Sequence, residues 1–562
     1  MALTVAREAI FCLDFTREKQ RDFSPFESTI PELIYRKAKT NADKIAFAFD
    51  HEKVGFTFGA VKKDVEGIAA GLVASGLKSQ DRVLIAGQNH SQLIIATLAV
   101  SRAGLIFALA NPSFRSSEQL RHLLVAGDFR AIILFSPNGR SDPMYDLLLE
   151  VCPELKSCPP GRLKSATLPS LSHVILADED HRHAGVFTLS DIAMNATKDG
   201  IEKLPNYTQW NPHRLAAIGF SLGSTGLPKA VGLTHFQLIN GCRIAAHVIG
   251  ITSETVLCCA LPLFRMPVFC LVVFTPFLAE SRSVFSDASP VPRELFRSIK
   301  KYQCSCVLSN AVALRFGLRT VFTHKISLPS VSTIILLGER VTAELLISIT
   351  RVMPQARRIA VGMILAEVGA IPVISDNTTN LVKAIGRPLD GFEVSVDKIE
   401  ALSTEKRTVG ELKVRPVMKT KFIGFGPDFN SPVEWISTGD IVAQTLDGNI
   451  EVLAHKEDII YDRQDRLLEH WRLERAMANY VQIKGVQVLQ AWPGSPIVAI
   501  VIPKHLECVP EFIKTDLSLI CKKSNLPIPD KFSLIDDFPR INTKIQKYKL
   551  RELLRAGFLQ LY

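Results

Sequence analysis

Between residues 29 and 135, short apolar runs alternate with segments of helical period, and this alternation limits the fold more than any other feature. TIPELIYRKAKTNADKIAFAF begins with Thr29 and, three residues on, Glu32, the spacing of a capping box, then runs at helical period into a strand. GAVKKDVEGIAAGLVASGL reads as an amphipathic helix closed by Gly76, and DRVLIAG as a short buried strand. HSQLIIATLAVSRAG and LIFALANP repeat the pair, and HLLVAGDFRAIILF continues it. Strand and helix in alternation predict an α/β fold, with a parallel or mixed sheet carrying helices on both faces.

From about 140 to 213 the pattern loosens into proline- and serine-rich sequence, which predicts surface loops around one strand. The sheet rhythm returns at LAAIGF and persists through SCVLSN, TIILLG and RRIAVGMIL. After 385 the texture becomes short strands, EVSVDK, GELKVR and WISTGDIVAQTLDGNIEVLA, with Asp447-Gly448 as a hairpin turn. The tail holds helices, the strand IVAIVIP and a basic ending, which suits a small α+β module. The expected organisation is a large N-terminal domain, 1–456, of α/β subdomains plus a β-rich portion, followed by a smaller C-terminal domain, 457–562.

At 562 residues, 47% hydrophobic and 22% charged, the chain can bury a large core and is not disordered. Its net charge of +10 suits acidic ligands such as nucleotides or coenzyme A, but no arginine-rich arm points to nucleic acid. The eleven cysteines include Cys258 beside Cys259 and Cys304 close to Cys306, without paired CxxC spacing, so they read as reduced intracellular thiols. The histidines show no HxxxH or HxxE pairing, which argues against a dedicated metal site. MPVFCLVVFTPFLA (266–279) falls short of the roughly twenty residues a bilayer requires, so it reads as a buried core element and no transmembrane segment is expected. The first residues lack a secretory signal, while Glu8 and Asp14 are atypical of a transit peptide. Mitochondrial and cytoplasmic placement both stay open, as does oligomeric state.

Residues 220–230 read FSLGSTGLPKA. Gly223 and Gly226 allow successive amides to point inward as an anion nest, Ser221, Ser224 and Thr225 add short donors, and Lys229 adds a charge beyond the stiffening Pro228. The loop is not GxxxxGK[ST]. Read alone, it is either a structural turn or a phosphate cradle.

The segment resembles the phosphate-binding signature of the AMP-forming acyl-CoA synthetases, within the adenylate-forming superfamily, where [FY][ST]SGTTGxPKG is followed by a short strand and SH or TH. Here VGLTHFQLING supplies Thr234 and His235. The resemblance spans about 29 to 555 and is nearest the medium-chain acyl-CoA synthetase family member branch, echoed in 110–133, 152–171 and KIQKYKLRE at 544–552. It implies the adenylate-forming ligase fold with a mobile C-terminal domain. It also implies an acid–thiol ligase reaction using ATP, Mg²⁺ and coenzyme A on a small-molecule carboxylic acid, here a medium-chain fatty acid. Ser221, Gly223, Ser224, Thr225, Gly226 and Lys229 would hold the β- and γ-phosphates. Gly338 would lie in the adenine-site segment, and Glu367 would help hold Mg²⁺. Asp440 would accept from the ribose hydroxyls. Lys544 would bridge the α-phosphate and the substrate carboxylate. Arg265 and Gly362 would border the acyl tunnel, Arg265 standing where a histidine is usual. Gly386 and Pro388 match a structural turn, and His235 reads as structural.

Several positions depart from the pattern. YGxTE appears as MILAE, so Met363, Ile364 and Ala366 replace tyrosine, glycine and threonine. AHKEDIIYDRQDR puts His455 where an arginine grips the ribose and Glu457 at the hinge. Ala230 and Thr543 replace glycines. These changes support an alternative expectation, a catalytically impaired homologue that binds ligands or acts as a scaffold.

Overall fold

The computed structural model describes residues 23–114, 116–136, 142–177, 183–221, 228–289, 292–324, 326–338, 341–462, 464, 467–478, 480–505, 510–541 and 544–562, the side chains of 320–324 and 541–544 excepted. They form two compact units. One comprises the chain before the Gly-rich loop together with Pro228–Val394 and Val414–Ile436; the other comprises Ser395–Lys413 and Ser437–Tyr562.

Two large sheets organise the first unit among the described residues. In the seven-stranded sheet Phe187–Thr188, His173–Leu176, Ala131–Leu134, Arg82–Ala86, Ile106–Ala110 and Leu215–Phe220 run parallel, and Ala230–Thr234 closes one edge antiparallel. In the nine-stranded sheet the strands from Ile45–Phe49 to Arg358–Leu365 are parallel, with antiparallel strands at both ends. The central strands, such as VLIA and IFALA, are buried along their whole length. Strands covered on both faces need continuous apolar sequence, which is why these segments lack polar alternation. The α/β expectation holds.

Local signals explain most boundaries. Thr29 caps the helix Ile30–Thr40 by accepting from Glu32 N. The box does not close, because Glu32 accepts instead from Ser28 Oγ at 3.0 Å and pairs with Arg36 at 3.0 Å. Thr234 and Gln237 do form a reciprocal box at the start of His235–Ile249. The apolar segment 266–279 is one helix, Met266–Ala279, buried almost throughout, as expected of a core element. No described helix is long and apolar enough to cross a membrane. The region 140–213 departs from expectation: it holds the helices Asp142–Val151, Leu189–Met194 and Lys198–Glu202 as well as strands. These helices are too short for periodicity to stand out against the flanking prolines and serines. The described cysteines carry no disulfide and are buried except for Cys158.

The second unit contains a four-stranded sheet, Glu393–Lys398, Arg407–Arg415, Ile436–Thr445 and Ile450–His455, and a three-stranded sheet, Ile483–Leu489, Val498–Pro503 and Lys531–Leu534. The expected hairpin turns at Gly448, whose φ is +82°. Trp471, from the helix His470–Met477, packs on Val409, Ile441, Ala443 and Leu453, joining the four-stranded sheet to the C-terminal residues. The boundary expected after 456 concerns what moves as a body, and stays a proposal.

His235 in the first unit and His470 in the second are deeply buried and held neutral. His235 accepts from Ile30 N–H at 3.3 Å through Nδ1, and burial lowers its pKa to about 3. Burial, then the charge of Lys547, lowers that of His470 to about 3. The unfolded chain takes up these protons near pH 6.5, so the stabilisation is complete above 6.5 and is lost as pH falls toward 3. Each histidine steepens acid destabilisation by up to about 1.4 kcal/mol per pH unit within that window. Denaturant midpoints measured across it should fall less steeply for His470→Phe than for the wild type; parallel slopes would contradict the assignment.

Candidate functional site

The Gly-rich segment connects Leu215–Phe220 to Ala230–Thr234, which pair with Phe220 opposite Ala230. Gly223, Ser224, Thr225 and Gly226 lie outside the described residues, so their expected phosphate contacts remain proposals. The described stem is closed by two hydrogen bonds. Ser221 N–H donates to Lys229 O at 3.0 Å, and Lys229 N–H donates to Ser221 Oγ at 3.1 Å. The Ser221 hydroxyl thereby accepts within the stem and keeps its own proton to donate.

Two side chains brace the stem that no local sequence signal announces. His122 Nε2 donates to Pro228 O at 2.9 Å. The ring of Phe425 lies under the exposed Lys229 ammonium, with Nζ 5.3 Å from its centroid, a cation–π contact worth about 0.5–1 kcal/mol in such a setting. Both come from distant parts of the chain, and only the fold brings them here.

Glu367 sits on the short 3₁₀ turn Ala366–Val368 between the strands Arg358–Leu365 and Ala370–Ile374, and Gly369 leaves that turn at φ +61°. The turn packs on both strands of the loop stem. Ala366 O lies 3.3 Å from where a Cβ on Gly219 would stand, two residues before Ser221. The half-buried residue Glu367 thus belongs to a turn packed against the stem of the loop.

Arg265 and Gly338 also come together. Gly338 ends the strand Thr333–Leu337 at φ +83°, and a Cβ there would stand 3.6 Å from Arg265 Nη1 and 3.9 Å from Ile364 Cδ1. Its N–H donates to Gly362 O at 3.3 Å. Gly362 is enclosed: a Cβ would meet Leu337 Cδ2 at 2.9 Å and Ile371 Cγ2 at 3.1 Å, so this position admits no side chain without repacking. Ile364, where the resembling family has glycine, instead extends its side chain toward Gly338 and Arg265. Arg265 precedes the buried helix Met266–Ala279 as its N-terminal flanking residue.

In the second unit, Asp440 and His455 are direct cross-strand partners on Ile436–Thr445 and Ile450–His455. Gly439, at φ +75°, lets the His455 ring lie close, since a Cβ there would stand 2.6 Å from His455 Nε2. Glu411 holds this corner by accepting from Gly439 N–H at 3.2 Å and pairing with Lys456 at 3.0 Å. The two residues expected at the ribose thus form one local pair. Lys544 occupies the two-residue strand Lys544–Ile545, opposite Ile541, and its side chain lies outside the described residues. Thr543 also lies outside them. His235 is structural, as its sequence context suggests.

Residues 34–419 match the family described as AMP-binding enzyme. The chain belongs to that family. Mouse medium-chain acyl-CoA ligase ACSF2, mitochondrial, is 25% identical over 93% of this chain and 87% of its own length. The putative acyl-CoA synthetase YngI of Bacillus subtilis is 26% identical over 93% of this chain and 97% of its own. Among solved structures, the anthranilate CoA ligase AuaEII in complex with anthranoyl-AMP superposes at a TM-score of 0.78, with 16% identity over 95% of this chain and 99% of that one. ATP-bound MatB from Rhodopseudomonas palustris gives 0.76, at 16% identity over 95% of this chain and 100% of that one. The fold of this AMP-binding family member is therefore that of the adenylate-forming ligases.

Proposed function

We propose that this AMP-binding enzyme is an ATP-dependent acyl-CoA synthetase that activates a medium-chain fatty acid. A carboxylate oxygen bonds to the α-phosphorus of ATP as pyrophosphate leaves, giving an acyl-adenylate. The sulfur of coenzyme A then bonds to the acyl carbon, AMP leaves, and the thiol proton passes to solvent. The observation that carries this reading is the stem closed by Ser221 and Lys229, with the Glu367 turn packed beside it. A donor-rich loop sequence, the cation of Lys229 and the acid of Glu367 on neighbouring elements support this reading, since transfer to a polyphosphate requires such groups.

Within this reading Ser221, Gly223, Ser224, Thr225, Gly226 and Lys229 bind the outer phosphates, Asp440 and His455 the ribose, and Gly338 the adenine side. The hard oxygen donor of Glu367 suits Mg²⁺, which keeps most of its ligands as water and phosphate oxygen and neutralises phosphate charge. Arg265 and Gly362 border the acyl site. Residues 457–562 act as a mobile domain that brings Lys544 to the α-phosphate for the first step and withdraws it for the second. The ACSF2 relatives are named mitochondrial, which favours the mitochondrion over the cytoplasm; fractionation of cells making the full chain tests this, and enrichment outside mitochondria would contradict it.

The test of the activity is incubation with MgATP, coenzyme A and straight-chain acids of graded length. Thioester should accumulate most rapidly with medium-length acids. Adenylate trapped by hydroxylamine without thioester would assign a different acceptor, and silence across the panel would favour the impaired homologue.

A further inference from the structure

The turn after Ile45–Phe49 and the start of the helix Ser91–Arg102 bring together three side chains that the ligase chemistry does not use: His51, Glu52 and His90. Their ligand atoms all lie within 4.8 Å of one another. His51 Nε2 is 3.2 Å from Glu52 Oε1, and His90 Nδ1 is 3.5 Å from the same oxygen. We propose that His51, Glu52 and His90 form a binding site for one divalent transition-metal ion of the Zn²⁺ type.

Geometry is the first argument. A tetrahedral ion with ligands at about 2.0–2.1 Å sets those ligands about 3.3–3.4 Å apart. The two separations from Glu52 Oε1, 3.2 and 3.5 Å, bracket that length, and all three ligand atoms lie within 4.8 Å of one another.

Hydrogen bonding is the second. Glu52 Oε1 already accepts from Ser91 N–H at 2.8 Å, while Oε2 accepts from Ser91 Oγ. Two imidazole nitrogens therefore converge on an oxygen with little accepting capacity left. Both His51 ring nitrogens are shielded from water and neither makes a hydrogen bond; the Nε2 approach to Glu52 lies off the direction one requires. One cation among the three atoms resolves the crowding, because each nitrogen then acts as a lone-pair donor.

Support of the carboxylate is the third, since Ser91 donates to both of its oxygens. The Ser91 bonds fix its orientation, the support that ligating carboxylates commonly receive. Two imidazoles and one carboxylate select a borderline ion over Mg²⁺ or Ca²⁺. The side chains are 19%, 22% and 32% exposed, open enough for entry and for a solvent ligand.

The site's place in the fold gives it a structural role. The turn at 50–53 belongs to the nine-stranded sheet, and Ser91–Arg102 connects strands of the seven-stranded one. The neighbouring Asn89 already links the same regions, donating to Leu261 O and accepting from Leu263 N–H, both at 2.9 Å. A bound ion fastens this junction. Sequence spacing concealed the cluster, because His90 approaches from far along the chain and no HxxxH or HxxE pattern arises.

The test uses tag-free full chain stripped with a chelator and given Zn²⁺ alone, without nucleotide. About one Zn²⁺ should stay bound per chain after desalting and raise the Tm, and His51→Gln/His90→Gln should abolish both effects. Co²⁺ in the wild-type protein should show the visible absorption of four-coordinate nitrogen and oxygen donors, a readout that does not depend on the variant folding. No retained ion, equal uptake by the double variant, or a Co²⁺ spectrum dominated by thiolate charge transfer would overturn the proposal.

Discussion

Lys544→Ala should slow adenylate formation by about 10²–10³ while leaving conversion of supplied acyl-adenylate to thioester within a few-fold of wild type. The first step gathers negative charge around the α-phosphorus as a carboxylate approaches, and a cation placed between the two anions lowers that barrier more than it stabilises either one alone. Attack by coenzyme A on the acyl carbon makes no such demand. A uniform loss in both steps would point to misfolding or general electrostatics, and no loss in either would remove Lys544 from the mechanism. Lys544→Arg keeps the charge but not the geometry, so it should recover little of the first step. Single-turnover pyrophosphate release and thioester formation separate these outcomes.

Gly386→Ala is expected to be severely damaging, costing about 3–5 kcal/mol of stability. Gly386 sits at φ +110°, and a Cβ there would stand 2.0 Å from Ile374 O and 2.3 Å from Ser375 N. Backbone cannot yield as a side chain can. The strand Ala370–Ile374 and the Arg387–Pro388 strand paired to it would have to separate, disturbing the sheet beside Arg358–Leu365, which carries the chain to Glu367. Activity should therefore fall with stability. Gly76→Ala is the matched control: its φ is +107° but nothing lies within 4 Å of the added methyl, so only the conformational cost of about 1–2 kcal/mol applies. Chemical denaturation of the two variants distinguishes steric overlap from φ strain, and similar losses in both would contradict the steric account.

The sequence made the main architecture legible because buried parallel strands demand unbroken apolar runs, and those runs stand out in DRVLIAG and LIFALANP. Thr29, Gly76 and Asp447-Gly448 acted as local punctuation, and the structure uses each of them. Where a residue had a competing partner, local reading failed: Glu32 fits a capping box by spacing, yet Ser28 and Arg36 hold its carboxylate. The helix Asp142–Val151 was hidden by its brevity and by Pro153 immediately beyond it.

The candidate site divides in the same way. The loop's donors stand out because they are contiguous in sequence, whereas Asp440 and His455 are singled out only through the family resemblance, and their pairing across one hairpin emerges from the fold. His122 under Pro228, Phe425 under Lys229, and the approach of Ile364 to Gly338 could not be read, because each depends on side-chain placement across the fold. The same reason explains why histidine spacing argued against a metal site while the folded chain gathers His51, Glu52 and His90.

The central claim is that the donor-rich loop and its cation hold the phosphates of ATP while a carboxylic acid is activated. Acid-dependent exchange of labelled pyrophosphate into ATP tests it most directly, because exchange requires reversible adenylate formation and needs no coenzyme A. Exchange that appears only with a medium-chain acid and is lost in Lys229→Ala and Lys544→Ala is the predicted result. Absence of exchange with every acid at saturating MgATP, in protein shown to be folded, would contradict it.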